Sequence, residues 1–356
     1  MSEIITVSKT DMPYKILQSE MKKFADGIFR GKVPDAERLM SVFENSEIDE
    51  RNLCVPLEYF NERKSFAERN SDYLKLTIDY SVTAIKDCLL RSGFSSDDIT
   101  DIIFISSTGI STPSPDAFII NQLKLNKNIN RYPVWGLGCA GGVAGIAKAK
   151  VIADSNPNAL VALVTSELCS LTFLNDDFSK SNLVATSLFS DGVAAVLIKG
   201  DGLNFKKTNS ERIEITDAMS RIYYDSTDVM GWEVTDAGLK VIFSKDIPTI
   251  VEDKLKPDIE MFLKRNDLKT DDIKNFVTHP GGIKVIDSYV RSLEIDPCNL
   301  DNTKYVLRKY GNMSSATVMY VLDRFICNGF TDGFGIMTSL GPGFSSEMVL
   351  LNIQSK

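Results

Sequence analysis

The chain has 356 residues, 43% of them hydrophobic, and a formal net charge of −8 at pH 7. That is enough apolar material for one large domain or two fused halves, and it leaves no basic surplus to neutralise the phosphates of a nucleic acid. The six cysteines form no CxxC pair, a lone histidine cannot complete a Cys/His zinc set, and neither a leader pattern nor a long apolar run is present. The chain is therefore expected to be reduced and cytoplasmic, without metal, disulfide framework or integral membrane association.

In chain order, residues 1–74 read as two or three helices plus irregular chain with no later counterpart. "SSDDITDIIFISSTG" (Ser95–Gly109) has an amphipathic helix before it and an apolar strand that ends in a polar turn. "VWGLGCAGG" (Val134–Gly142) then places a cysteine at the end of an apolar strand, directly before small residues. Residues 140–155 read as a helix and 159–167, "ALVALVTSE", as a buried strand.

Polar, glycine-containing chain from Lys199 to Ile215 marks a boundary, dividing the protein into halves 1–210 and 211–356. The second half repeats the plan. "KTDDIKNFVTHPGG" (Lys269–Gly282) echoes Ser95–Gly109, residues 314–329 read as a helix stopped at Gly329, and 334–343 as a strand. From Ile99 to Cys139 is 40 positions and from Ile273 to Asn312 is 39, so the spacing makes Cys139 and Asn312 equivalent. A repeat on this scale predicts two similar α/β halves about a pseudo-dyad.

Three residues could carry chemistry. Cys139 either packs or reacts: the helix after it would aim free N–H groups at the sulfur and favour the thiolate, while the small residues around it would equally serve a tight helix–helix contact. His279, the only histidine, sits at a strand end in "THPGG", where it could face a nucleophile held by the first half. Asn312 precedes a helix; it is either a turn residue or an amide donor completing an oxyanion hole with His279.

"WGLGCAGG", "THPGG", "YGNMSSATV" and "GPGFSSEMVLL" resemble the signatures of type III polyketide synthases, the chalcone-synthase-like condensing enzymes, as does "SELCSLTF…SNLVATSLFSDGVAAV". The resemblance covers essentially the whole chain. It implies a thiolase-like αβαβα fold, a homodimer, malonyl-CoA and acyl-CoA as substrates with no other cofactor, and Cys139, His279 and Asn312 as the catalytic triad. It further implies that Phe189 is a gatekeeper aromatic and that Ser107, Thr108, Cys169, Leu171, Thr172 and Ser314 line the reaction cavity.

Three positions depart from the plant enzymes. Val241 stands where a second gatekeeper is usually Phe, Trp232 where a small residue is common, and Thr112 where a methionine reaches across the dimer. These choices resemble the bacterial alkylpyrone and alkylresorcinol synthases, which implies a fatty acyl starter. The alternatives are a ketoacyl-carrier-protein synthase of the initiating kind, with the same Cys/His/Asn set, and a non-catalytic acyl-CoA-binding relative. A thiolase or a papain-like hydrolase fits less well, since the first needs other acid–base residues and the second a different cysteine neighbourhood.

Overall fold

The computed structural model describes residues 1–33, 35–204, 211–244 and 247–355; residues 205–210, within the expected boundary segment, lie outside the described residues. The strands are β1 (Ser2–Thr10), β2 (Tyr14–Leu17), β3 (Glu50–Leu53), β4 (Asp101–Ile105), β5 (Asn130–Val134), β6 (Leu160–Leu168), β7 (Asp191–Gly200), β8 (Glu211–Ile222), β9 (Met230–Thr235), β10 (Gly238–Phe243), β11 (Ile273–Thr278), β12 (Gly333–Gly341) and β13 (Ser345–Ser355). The helices are α1 (Gln18–Phe29), α2 (Ala36–Leu39), α3 (Ser41–Glu44), α4 (Phe66–Ser92), α5 (Pro115–Leu123), α6 (Gly141–Ser155), α7 (Lys180–Leu188), α8 (Ile247–Arg265), α9 (Ile283–Leu293), α10 (Asp301–Tyr310) and α11 (Thr317–Asn328).

Nine strands form one sheet in the order β11-β12-β13-β8-β1-β7-β6-β4-β5. Its two sides mirror each other about the β1–β8 pair. On the first side β1–β7 and β6–β7 are antiparallel and β4–β6 parallel; on the second, β13–β8 and β12–β13 are antiparallel and β11–β12 parallel. Among the described residues only β5 lacks a counterpart.

Alternation along the strands then builds the layers. Ile103 and Ile105 of β4 join α6, α11, Met337 and Val349 in a central core, while Ile102 and Phe104 face an outer core under α4 and α5. On the other side, Ile336 and Met348 face a second outer core under α8 and α9. The stack is helix, sheet, helix, sheet, helix: the thiolase-like α/β architecture.

Two expectations need correction. The start of the chain is not helical but the central strand β1, which pairs with β7 and β8 and whose counterpart in the second half is β8. "SEIITVSKT" carries polar residues on both faces, which hid it. They are tolerated because Glu3, 7% exposed, meets Lys199 at 3.5 Å and Arg212 at 3.7 Å. The equivalence of Cys139 and Asn312 is also displaced. Cys139 stands two residues before the first residue of α6, and Ser315, not Asn312, holds that place before α11.

Candidate active site

Gly138–Ala140 form a tight turn that runs directly into α6, so Cys139 sits at that helix's N-terminus. Gly138 has φ +46, and an added Cβ would lie 2.7 Å from Pro342 Cδ. The glycines beyond it serve packing. A Cβ on Gly141 would meet Ile105 at 2.6 Å, and one on Gly142 the Ser315 carbonyl oxygen at 2.5 Å. These contacts seat α6 against β4 and α11 and thereby fix the sulfur.

The Cys139 sulfur faces Asn312 Oδ1 at 4.0 Å and Ser314 Oγ at 3.7 Å. Asn312 follows Gly311, which ends α10 with φ +69, and its backbone is clamped to the chain around Phe189: its N–H donates to Leu188 O at 2.9 Å and its carbonyl accepts from Ser190 N at 2.8 Å. Its Nδ2 donates to Gly281 O at 3.2 Å, two residues beyond His279. Asn312 thus joins the cysteine of the first half to the His279–Gly281 turn of the second. His279 directly follows β11, its N–H bonded to Thr338 O at 2.9 Å. The imidazole is 3% exposed, and neither ring nitrogen has a hydrogen-bond partner among the described residues.

Burial pushes the Cys139 thiol up to about 12 and the His279 imidazole down to about 3. Burial of the two groups thus works against the thiolate that the helix end would favour, and it favours the neutral form of each. Moving the thiol proton to the imidazole would create both charges together, and their mutual attraction would offset part of the cost of burying each.

Cys139, Cys169, Phe189, Trp232, Val241 and Ser314 line one cavity. It adjoins a second, which shares Cys169, Phe189, Trp232 and Val241 and adds Thr172, Leu53 and Phe60. This in turn adjoins a surface groove through Phe60, Phe173 and Leu174. Ser107 and Thr108 are spent on backbone: Ser107 Oγ accepts from Gly138 N, beside Cys139, at 3.0 Å and Thr108 Oγ1 from Leu168 N, beside Cys169, at 3.0 Å. Leu171 is buried in the apolar cluster that α1 covers. Thr112 is exposed.

Two neighbours went unnoticed in the sequence. Phe243, two residues beyond Val241 on β10, meets Phe189 edge-on at 6.4 Å, so the aromatic lacking at 241 is supplied from the next position on that face. Glu167, the last residue of "ALVALVTSE", is fully buried; it accepts from Ser107 N at 3.0 Å and Ser315 Oγ at 2.6 Å, and burial raises its pKa to about 7. A carboxylate closing a stretch that opens on six apolar residues, Ala159–Val164, was the signal available.

The layered fold and a cysteine at the central helix define a condensing enzyme of the thiolase-fold class. Residues 45–202 match the chalcone and stilbene synthase N-terminal domain and residues 214–354 the C-terminal domain, so the chain belongs to the chalcone and stilbene synthase family, the type III polyketide synthases. It is 41% identical to a putative chalcone synthase of Bacillus subtilis (strain 168), over 99% of both chains. It is 31% identical to a 1,3,6,8-tetrahydroxynaphthalene synthase of Streptomyces peucetius subsp. caesius, over 95% of this chain and 90% of that one. The crystal structure of the Streptomyces coelicolor A3(2) tetrahydroxynaphthalene synthase superposes with a TM-score of 0.93 at 25% identity, covering 99% of this chain and 100% of that one.

Proposed function

We propose that the protein condenses malonyl-CoA iteratively onto a fatty acyl-CoA starter and cyclises the product to an alkylpyrone or resorcinol-type ring. The observation that carries this reading is Asn312 standing between the Cys139 sulfur and the His279–Gly281 turn. Cys139 attacks the starter thioester as thiolate, its proton passing to His279; CoA leaves as the thiol and takes that proton. Malonyl-CoA then loses CO₂, and the thioester enolate so formed is held by the His279 N–H and the open Asn312 amide N–H. The enolate attacks the Cys139 thioester, forming the new C–C bond and releasing the sulfur for the next round. This chemistry requires no metal or redox cofactor.

The fatty starter is supported by the line of adjoining cavities behind Phe189, largely apolar until the surface groove. Each further CH₂ buried there contributes roughly 0.8 kcal/mol, so kcat/KM should climb with starter length until the space is full. A second reading, a polyhydroxynaphthalene product, is favoured by the tetrahydroxynaphthalene synthases among the relatives. The reading extends to a cytoplasmic location, to a homodimer, supported by the exposed edge strand β5 with Tyr132 and nearby Trp135 on the surface, and to halves divided at 210/211, supported by the mirrored strand order. Among the described residues no helix is long and apolar enough to cross a membrane.

Intact-protein mass spectrometry with acyl-CoA starters from acetyl to stearoyl, paired with malonyl-CoA decarboxylation, tests the proposal. One acyl group should add to the wild type and none to Cys139→Ala. Decarboxylation should fall on the order of 10²–10³-fold in His279→Ala and Asn312→Ala. Acylation at Cys169 instead would overturn the assignment of the nucleophile, and a preference for acetyl over every longer starter would favour the second reading.

A further inference from the structure

The cavity beyond Phe189 and Trp232 has one charged side chain in its wall, Arg51 of β3. Arg51 is 1% exposed. Half of its guanidinium is spent on backbone: Nη1 donates to Thr186 O at 2.6 Å and to Phe189 O at 2.9 Å. The other edge, Nε and Nη2, is buried without a partner among the described residues. Asp191 supplies a nearby negative charge, but its oxygens are taken by Cys54 N at 2.7 Å and by Ser170 N and Oγ at 2.8 and 2.6 Å. Burial lowers the guanidinium pKa only to about 9, so it stays cationic at neutral pH.

A buried cation with open donors is costly, because each unmet N–H carries its full desolvation penalty. The open edge is also the one best shaped for recognition. Nε–H and Nη2–H lie parallel in one plane and fit two oxygens held side by side.

We propose that Arg51 is an oxygen-recognising subsite of the acyl cavity. Its Nε/Nη2 fork grips a planar pair of oxygens on a chain lying there. Two chemical sources present such a pair: a carboxylate at the distal end of an acyl chain, and the enolate of a 1,3-dicarbonyl, which malonyl extension would generate. Only the second source rests on the reading of this chain as a polyketide synthase, so the two can fail separately. The proposal gives the cavity two functions. Its apolar wall, with Leu53, Phe60 and Leu239, selects the chain, and Arg51 fixes where along that chain oxygen must fall.

The test is calorimetric binding to the full chain of three probes of similar apolar bulk: octanoate, nonane-2,4-dione and 1-octanol. Hydrogen bonds to a charged donor predict octanoate or the dione binding at least roughly tenfold tighter than the alcohol. Tighter binding of octanoate alone identifies the carboxylate source, of the dione alone the enolate source, and of both the shared chemistry. Arg51→Met should bring all three probes to one affinity, and Arg51→Lys, which keeps the charge but loses the fork, should restore only part of the difference. Should Arg51→Met fail to fold, Leu239→Trp fills the cavity from another wall and should abolish binding of all three. A guanidinium that only braced the 186–189 backbone would leave the three probes equal in the wild type, and that equality would overturn the proposal.

Discussion

At the scale of single residues, two buried titratable groups pull the pH dependence of stability in opposite directions. The His279 pKa is lowered from 6.5 to about 3, so the unfolded chain takes up a proton that the folded one refuses. Its contribution is fully present above 6.5 and is lost as pH falls toward 3. The Glu167 pKa is raised from 4.5 to about 7, so the folded chain keeps a proton that the unfolded one releases. Its contribution is fully present below 4.5 and is lost as pH rises toward 7. Between 4.5 and 6.5 the two oppose. His279→Gln should leave a protein whose stability declines as pH rises from 4.5 to 7, and Glu167→Gln one whose stability increases from 3 to 6.5. Each slope is at most about 1.4 kcal/mol per pH unit. Urea unfolding across a pH series measures both, and parallel profiles for the two variants and the wild type would reject the assignment. The sequence singled out Cys139, His279 and Asn312 as candidates because each is a reactive or polar type at a strand end or before a helix and each lies in a motif that resembles the family's. It did not single out Glu167 and Arg51, because a charged residue beside an apolar run reads as surface until the fold closes over it.

At the scale of elements, the site depends on how closely α6 approaches α11. Gly142→Ala would press a methyl group against the Ser315 carbonyl oxygen at 2.5 Å and Val318 Cγ1 at 2.6 Å. A backbone oxygen cannot rotate away, so the helices must part, at about 1–3 kcal/mol. Gly27 in α1 is the control. Nothing lies within 4 Å of its added Cβ, and Gly27→Ala should stabilise the protein by roughly 0.5–1 kcal/mol through helix propensity alone. Denaturant midpoints should therefore move in opposite directions, and a neutral Gly142→Ala would show that the contact is slack. The Gly142→Ala protein should also acylate more slowly, since Cys139 rides on the same helix end. Helix α6 and strand β6 could be read from sequence because α6 is rich in Ala, Val and Ile around Lys148 and Lys150, and β6 opens on the apolar run Leu160–Val164. The β9–β10 hairpin could not, because its Trp232–Val241 pair gains meaning only beside Phe189, which comes from a distant part of the chain.

At the scale of the molecule, the repeat was visible in the sequence but its axis was not. The axis passes between β1 and β8, which pair at Ser2–Ile215, Glu3–Glu214 and Ile4–Ile213. No local pattern could place the first strand of the chain beside one that begins at Glu211, because that pairing reaches across the whole of the first half. The arrangement has a consequence for dissection. The central core draws on both halves at once, with Val143 and Ile146 of α6 packed in one cluster with Val318 and Leu322 of α11. A half made alone would expose that apolar surface and leave an edge of the sheet unpaired, two features that drive aggregation. Residues 1–204 and 211–356 produced separately should therefore be insoluble. Produced together they should co-purify and unfold in one transition, because the shared core lends its cooperativity to both. The measurement is solubility and co-purification, followed by thermal unfolding of the joined fragments. A soluble monomeric half with its own cooperative transition would mean that each half carries a sufficient core, and that the central layer joins two domains already folded.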